Sequence, residues 1–359
     1  MTQRERQILQ WIEQDPMISQ EALAEKAGIT RSSVAVHISN LIKKGYIIGK
    51  GYVLRSGTYA AVVGGVNMDI GGQSDGPLVP GDSNPGRVRI SLGGVGRNIV
   101  HNMALLGLDV RFLTAFGDDL YAQRIAASCG ELGIDISQAL RVPGGSTSTY
   151  LYLNGPDGDM ALAVSDMDIC RKMTPQFLAS RLTLLKGAQL IVADANLPAE
   201  SLRFLADHGA APLFVDPVST VKAEKLRPIL GKIHTLKPNR MEAELLSGVA
   251  ITNEESLRQA AQVLLDTGLR RVFISLGSRG LFAADHRESL LLPCRPAAPV
   301  NATGAGDAFM AGLAWAYLEG TDLRGTALAG ASAGAIAIEG SETINPALSP
   351  EVLRARMDR

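Results

Sequence analysis

The sequence predicts a large α/β domain, built on a doubly wound sheet with a small β-lid and preceded by a compact α+β module. Three observations predict it. At 359 residues the chain exceeds one average domain. Near Arg55 to Thr58 the apolar pattern changes from short amphipathic helices to apolar strands alternating with longer helices. Two later stretches, about 70–92 and 146–165, break that alternation with paired extended runs, as a lid over one end of a sheet would. The expected domains are residues 1–55 and 59–359.

Within residues 1–55 the order is helix, helix, helix, hairpin. Ile8, Leu9, Trp11 and Ile12 share one helical face, and Asp15-Pro16 ends that helix because the residue before proline disfavours the α region. Ser19 is a fitting N-cap for a second helix carrying Ala22, Leu23 and Ala27, which stops at Gly28. Thr30 caps a third, with Val34, Ile38, Leu41 and Ile42 inward and Arg31, Ser32, Ser33, His37 and Lys43 outward. Tyr46-Ile47-Ile48 and Tyr52-Val53-Leu54 read as strands about a Gly49-Lys50-Gly51 turn.

From Tyr59 onward, strands are expected at Ala60 to Gly65, Val110 to Ala115, Leu190 to Asp194, Leu213 to Asp216, His234 to Leu236 and Val272 to Leu276. Helices between most of them imply a parallel sheet covered on both faces. Composition allows the core: 46% of residues are hydrophobic and 20% charged, as in an ordinary globular protein. Cys129, Cys170 and Cys294 lie far apart without CxxC spacing, which points to neither a disulfide framework nor a zinc site. The first residues mix charges into their apolar positions, unlike a signal peptide, and no run approaches the roughly 20 apolar residues that span a bilayer. A cytoplasmic protein without membrane partners is expected. Residues 1–55 hold eight Lys/Arg against five Asp/Glu in a chain of net charge −1, so a mildly basic head precedes a mildly acidic body.

The strongest chemical signal is NATGAGDAFMAGL at 301–313, a glycine-rich turn entering an apolar helix. Gly304 and Gly306 let the backbone approach an anion without obstruction from Cβ, and successive N–H groups at a helix N-terminus point into the same space. Asp307 at that mouth is either a carboxylate favourably placed near a helix N-terminus or the group that accepts the proton of an attacking hydroxyl. A phosphate beside it favours the second role.

Residues 301–309 together with SLGGVGRNIVHNMALLGLDVRFLTAFGDD at 91–119 resemble the two signatures of the PfkB/ribokinase family, in its order and separation. The resemblance runs from about residue 59 to the C-terminus. It implies a ribokinase-like doubly wound domain with a β-lid, Mg²⁺ with ATP as phosphoryl donor, and an alcohol of a sugar or nucleoside as acceptor. By motif match Asp307 becomes the catalytic base, and Gly304, Ala305 and Gly306 the anion hole. Asp69, with Asn67 just beyond the first strand, matches the Asp that grips sugar hydroxyls; Gly93, Gly94 and Asn98 lie on the first signature, where glycines leave room for a sugar ring. Asn98 could also cap the helix that follows, a role compatible with binding. On the nucleotide side, KPNRMEAE places Asn239 and Glu242 on the segment that holds the Mg²⁺–phosphate cluster through waters, and SLGSRG gives Ser275, Gly277 and Gly280 to the ATP loop. Asn301 stands where the family often has an Asp of a monovalent-cation site, which leaves dependence on potassium open.

Within the family, DSNPG at 82–86, GGVGRN, VADAN, FVDPVS and HTLKPNR look most like the pseudouridine kinase branch, which phosphorylates a 5′-hydroxyl. Asp194 and Asn196, at the end of a strand where such sheets bind ligands, could contact the acceptor or simply cap the strand end. Other nucleosides or furanoses remain alternatives. Residues 1–55 resemble winged helix-turn-helix domains, with Thr30 to Lys44 as recognition helix and Lys50 on the wing tip. Arg31, Ser32, Ser33 and His37 would face bases or phosphates, and Lys43, Lys44 and Lys50 the DNA backbone; the alternative is a module for protein contacts. So few cations would bind DNA weakly alone, which favours a homodimer. Two readings follow: an enzyme with a DNA-binding head, or a regulator that senses a nucleoside through a kinase fold.

Overall fold

The computed structural model describes residues 1–47, 59–295 and 297–358. The chain divides into two compact units, Met1–Thr58 and Tyr59–Arg359.

In the first unit three helices, Gln3–Gln14, Gln20–Ala27 and Arg31–Lys43, close on a core of Ile8, Ile12, Leu23, Val34, Ile38 and Leu41. Thr2, Ser19 and Thr30 cap them, each side chain accepting a backbone N–H, and Gly28 ends the second at φ 62°. Ile42, expected inward, is exposed: it lies at the rim of the stripe that Val34, Ile38 and Leu41 set on the helix. Glu5, almost completely buried, closes the Thr2 capping box and accepts the Lys44 ammonium at 2.7 Å. That hydrogen bond, first among the causes, lowers its pKa to about 2. The wing tip Gly49-Lys50-Gly51 and the strand Tyr52-Val53-Leu54 expected from the sequence lie outside the described residues.

The second unit contains strands β1 Ala60–Val63, β2 Asn67–Ser74, β3 Gly86–Gly93, β4 Val110–Leu113, β5 Ala115–Phe116, β6 Leu140–Arg141, β7 Thr149–Asn154, β8 Met160–Asp166, β9 Leu190–Asp194, β10 Leu213–Asp216, β11 Thr235–Leu236, β12 Arg271–Ser275, β13 Leu281–Asp285 and β14 Ser289–Leu292. The main sheet runs β14-β13-β12-β11-β10-β9-β1-β4. From β12 to β4 it is parallel, with its strands' carboxyl ends along one edge. The all-parallel expectation fails at the other edge, where β13 and β14 pair antiparallel. Two tight turns cause the reversals: between β12 and β13 the Leu276 N–H donates to the Gly280 carbonyl, and between β13 and β14 Asp285 Oδ1 accepts the N–H groups of Arg287 and Glu288, both turns too short for a crossover helix. Buried apolar clusters cover both faces, one of them against helices Val95–Leu105, Ala305–Leu318 and Leu323–Ile338. The last two approach closely because Gly312 lacks a side chain; a Cβ there would lie 2.7 Å from the Ala329 carbonyl oxygen. Among the described residues no helix is long and apolar enough to cross a membrane.

The lid is a separate sheet ordered β3-β2-β7-β8. It begins at Asn67 rather than near 70, so Asp69, just beyond β1, stands on a lid strand. The register sets Ile90, Ile70, Leu151 and Val164 across from one another in one row, and Val88, Gly72, Leu153 and Leu162 in the next. One face of the lid is therefore apolar. Val88, Ile90, Leu151, Leu153, Leu162 and Val164 on it are exposed.

Candidate active site

The apolar helix Ala305–Leu318 starts at Gly304, which is left-handed at φ 84°; a Cβ there would collide with the backbone of Thr343. Asn301 shapes the approach: its Oδ1 accepts the Thr303 N–H at 2.9 Å and its Nδ2 donates to the Ser341 carbonyl at 3.2 Å. Asp307 lies in the first turn of the helix, and its Oδ2 accepts a hydrogen bond from Asn98 Nδ2 at 2.8 Å. Asn98 therefore does not cap its own helix, which is entered at Gly94, φ 100°, without a side-chain cap. Arg97 Nη1 donates to Asn98 Oδ1 at 3.3 Å, which fixes the amide so that its nitrogen faces Asp307.

Burial, followed by the nearby charge of Asp216, raises the Asp307 pKa to about 7, against the pull of Asn98 and Lys237. Asp216 ends β10 and Lys237 follows β11. They form an ion pair at 3.0 Å, with side chains 7% and 9% exposed. The second oxygen of Asp216 accepts the Val218 N–H at 2.8 Å, and Val218 is the sole non-glycine residue of positive φ, 67°, among those described. The Lys237 ammonium lies 3.1 Å from where a Cβ on Gly306 would stand.

Across the cleft, Asn67 Nδ2 donates to Asp69 Oδ1, and a Cβ on Gly93 would strike the Asp69 carboxylate. Burial pushes the Asp69 pKa up, with Asn67 and Arg97 opposing. Asp194 is spent on structure: its two oxygens accept the Gly65 and Asn196 N–H groups, both at 2.8 Å, and it is fully buried. It caps its strand end, the second of the two roles the sequence allows. Asn196 turns its Oδ1 to the Lys222 ammonium at 2.6 Å.

Asn239 and Glu242 form a reciprocal cap at the start of helix Arg240–Ser247, at 2.9 and 2.8 Å. Glu242 is buried, which raises its pKa. Ser275 ends β12 and bridges to Asn239. Gly277 at φ 62° and Gly280 at φ 98° close the loop that follows, where Leu276 N–H donates to the Gly280 carbonyl at 2.9 Å. Among the described residues no three His, Cys, Asp or Glu side chains gather as a metal cage. A divalent ion here suits a hydrated site that draws ligands from a polyphosphate.

Residues 58–350 match the model of the pfkB family of carbohydrate kinases. The chain belongs to the PfkB family. A protein of Escherichia coli (strain K12) named uncharacterized sugar kinase YeiI is 40% identical, over 98% of this chain and 98% of its own. Pseudouridine kinase of the same organism is 39% identical, over 82% of this chain and 95% of its own. The ribokinase of Thermotoga maritima superposes with a TM-score of 0.76 at 23% identity, over 84% of this chain and 100% of that structure, and shows the shared fold. This PfkB chain is thus a phosphotransferase acting on an alcohol group of a sugar or nucleoside. Residues 1–48 match a winged helix-turn-helix DNA-binding model.

On that head, Arg31 and Lys43 are exposed on helix Arg31–Lys43. Arg31 pairs with Glu21 at 3.0 Å, and Ser32 and Ser33 both bond the Thr30 hydroxyl at 2.9 Å. Two expectations need correction. Lys44 is held by the buried Glu5 rather than standing free for phosphate, and the His37 ring is half-buried, with Nδ1 enclosed and unbonded. Lys50 lies outside the described residues. What sequence reasoning missed in the PfkB domain is the Asp216–Lys237 pair; both sit in the FVDPVS and KPNR segments, at ends of adjacent strands where such sheets bind ligands.

Proposed function

We propose that this PfkB protein is an ATP-dependent kinase for the hydroxymethyl group of a nucleoside or sugar, with pseudouridine and its 5′-hydroxyl as acceptor. The observation that carries the reading is Asp307, a carboxylate raised to about 7 and oriented by Asn98 at a glycine-lined helix N-terminus. A base of that pKa is half ionised near neutrality and takes a hydroxyl proton as the oxygen attacks phosphorus. Gly304, Ala305 and Gly306 offer N–H groups to the charge on the transferred phosphoryl. Asp69 and Asn67, with Gly93 and Gly94 opposite, hold acceptor hydroxyls, and Asn196 lies at the neighbouring strand end. Ser275, Gly277 and Gly280 receive the nucleotide; Asn239 and Glu242 would hold Mg²⁺ through waters, where it would neutralise phosphate charge. The choice of pseudouridine rests on the sequence segments shared with that branch and on the relative of that name.

The head would bind DNA through Arg31, Ser32, Ser33 and Lys43. With so few cations two copies are needed, and the exposed apolar face of the lid offers a self-complementary surface for a cytoplasmic homodimer. The test is a panel of pseudouridine, uridine, inosine, adenosine, ribose and fructose with ATP, scored for ADP release and product mass. Pseudouridine 5′-phosphate as the fastest product supports the reading. Turnover of another acceptor alone replaces the substrate, and ligand-dependent DNA binding without turnover would make the protein a sensor.

A further inference from the structure

We infer that Arg97 is a positioning residue: from one guanidinium nitrogen it ties the root of the lid to the Asn98 amide, and so sets both Asp69 and Asp307 for the acceptor. This rests on the assignment of Asp69 to the acceptor hydroxyls and of Asp307 to the transferred proton.

Arg97 is 9% exposed, and a guanidinium so enclosed ordinarily pairs with a carboxylate. Its side-chain hydrogen bonds among the described residues go instead to two carbonyl oxygens, both from Nη1 at 3.3 Å: that of Leu92, in lid strand β3, and Oδ1 of Asn98. Its own N–H donates to the Gly65 carbonyl at 3.1 Å, where the chain leaves β1. One residue thus joins three pieces of the site. Leu92 pairs with Met68 across to β2, and the next residue, Gly93, lies where a Cβ would strike the Asp69 carboxylate. Asn98 turns its nitrogen to Asp307 at 2.8 Å. The other titratable groups beside the guanidinium carry no charge near neutrality. Burial, then the Arg97 charge, lowers the pKa of His101, one turn along the same helix, to about 4; burial pushes the Cys129 thiol of helix Leu120–Glu131 up to about 11. Asp69 on β2 is the carboxylate that feels the guanidinium, which opposes the rise that burial imposes and favours the ionised form that accepts hydroxyl hydrogens.

The two ends of an amide have nearly the same shape, so the donor on Oδ1 decides which end faces Asp307. With Arg97 in place, Nδ2 faces the carboxylate and favours its ionised form. Without it the amide can turn over, and an oxygen beside the carboxylate favours the protonated form, which cannot accept a proton from the acceptor. Asp216 from β10, Asp194 from β9 and Lys237 after β11 also act on Asp307, and none of them touches Arg97. A change in the titration of Asp307 on replacing Arg97 therefore reports the amide. The second bond acts on the other carboxylate. It fixes where β3 turns into the helix, and with it the close approach of Gly93 to Asp69.

The experiment uses the full chain and the variants Arg97→Met, Arg97→Lys, Asn98→Leu, the double Arg97→Met/Asn98→Leu, and Asp307→Asn. The pH dependence of kcat/KM and the separate KM values for ATP and for the best acceptor of the panel are measured. Arg97→Met should move the midpoint of the pH profile up by about one unit, the scale of one lost hydrogen bond to a carboxylate. It should raise the acceptor KM about tenfold and leave the ATP KM within about twofold. Arg97→Lys, which keeps the charge and a donor on a shorter stem, should recover part of both. Asn98→Leu should move the midpoint likewise, and the double variant no further, because the amide is the shared route. An unchanged midpoint and acceptor KM in Arg97→Met, equal rises in the two KM values, or additive midpoint shifts in the double variant would overturn the role of Arg97. If Arg97→Met fails to fold, Arg97→Lys carries the test: smaller shifts of the same sign support the role, and wild-type values overturn it. Asp307→Asn separates the two ideas. Its normal turnover would remove the site and this role with it, whereas its loss beside Arg97 variants of wild-type profile would remove the role of Arg97 alone.

Discussion

A lysine pairs with a buried carboxylate in each unit, and the two pairs differ in what surrounds them. In the head, Glu5 is 2% exposed and Lys44 42%, and the ammonium also reaches water; Glu5 is ionised well below neutrality. In the kinase domain, Asp216 and Lys237 are both almost enclosed, and Asp307, Asp194 and Glu242 crowd nearby with pKa values pushed up. The first pair is a closed electrostatic account that ties a helix start to a helix end. The second shares its surroundings with carboxylates that burial and mutual repulsion push toward protonation, a balance that a bound cation or donor-rich ligand would shift. The chemistry of the pair is the same, and the neighbouring carboxylates decide whether it serves folding or a reaction.

The largest expected effect is at Asp307. Asp307→Asn should lower turnover about 10²- to 10⁴-fold, the scale of a lost general base, while the thermal midpoint holds or rises because a buried charge is removed. Steady-state rates and a melt of the purified variant check both halves. The wild-type pH profile sharpens the point: with a pKa raised to about 7, the active ionised form is lost as pH falls, so kcat/KM should climb with pH and level off above about 7. The corresponding stability term has the opposite sign, since the folded state binds the proton more tightly than the unfolded one; ligand-free stability declines as pH rises from about 4 to about 7.

Next is Asp69. Asp69→Ala should raise the acceptor KM by about tenfold or more and the ATP KM by less than about twofold, because its hydrogen bonds are made to one substrate only. Equal changes in both would separate Asp69 from the acceptor. In the head, Lys44→Met should destabilise by about 1–2 kcal/mol, discounted for the solvent that reaches the lysine, by leaving Glu5 without its partner. Hydrogen exchange across residues 1–47 of the full chain should quicken while phosphorylation is unchanged; unaltered exchange would mean that the pair does not hold the helices together. Glu5 is depressed, so its contribution is present above its ordinary range and is lost only as pH falls toward about 2.

Features with a local cause were legible in the sequence. Ser19 and Thr30 stand three residues before the amides they serve, Gly28 stops the second helix, and Gly304 lies in a glycine-rich turn. Contacts set by strand order were not. Asn98 and Asp307 meet across 209 residues, and Asp216 meets Lys237 because β10 and β11 are neighbours, which no spacing along the chain reveals. Lys44 looked like a free cation because its partner lies 39 residues away and is buried among apolar side chains. The antiparallel β13–β14 edge was missed because an apolar run such as Leu290-Leu291-Leu292 has the same pattern in either direction.

Val218 carries one last consequence. A β-branched residue at φ 67° costs of the order of 1–3 kcal/mol, and glycine would hold the same conformation without it. Val218→Gly should therefore be a conflicted substitution: relief of the local strain stabilises, while a looser backbone no longer pins the N–H that orients Asp216. A variant that melts higher and turns over somewhat more slowly would identify position 218 as a place where natural selection has kept a stiffer, less comfortable residue, and a sensible first target for trading robustness against rate.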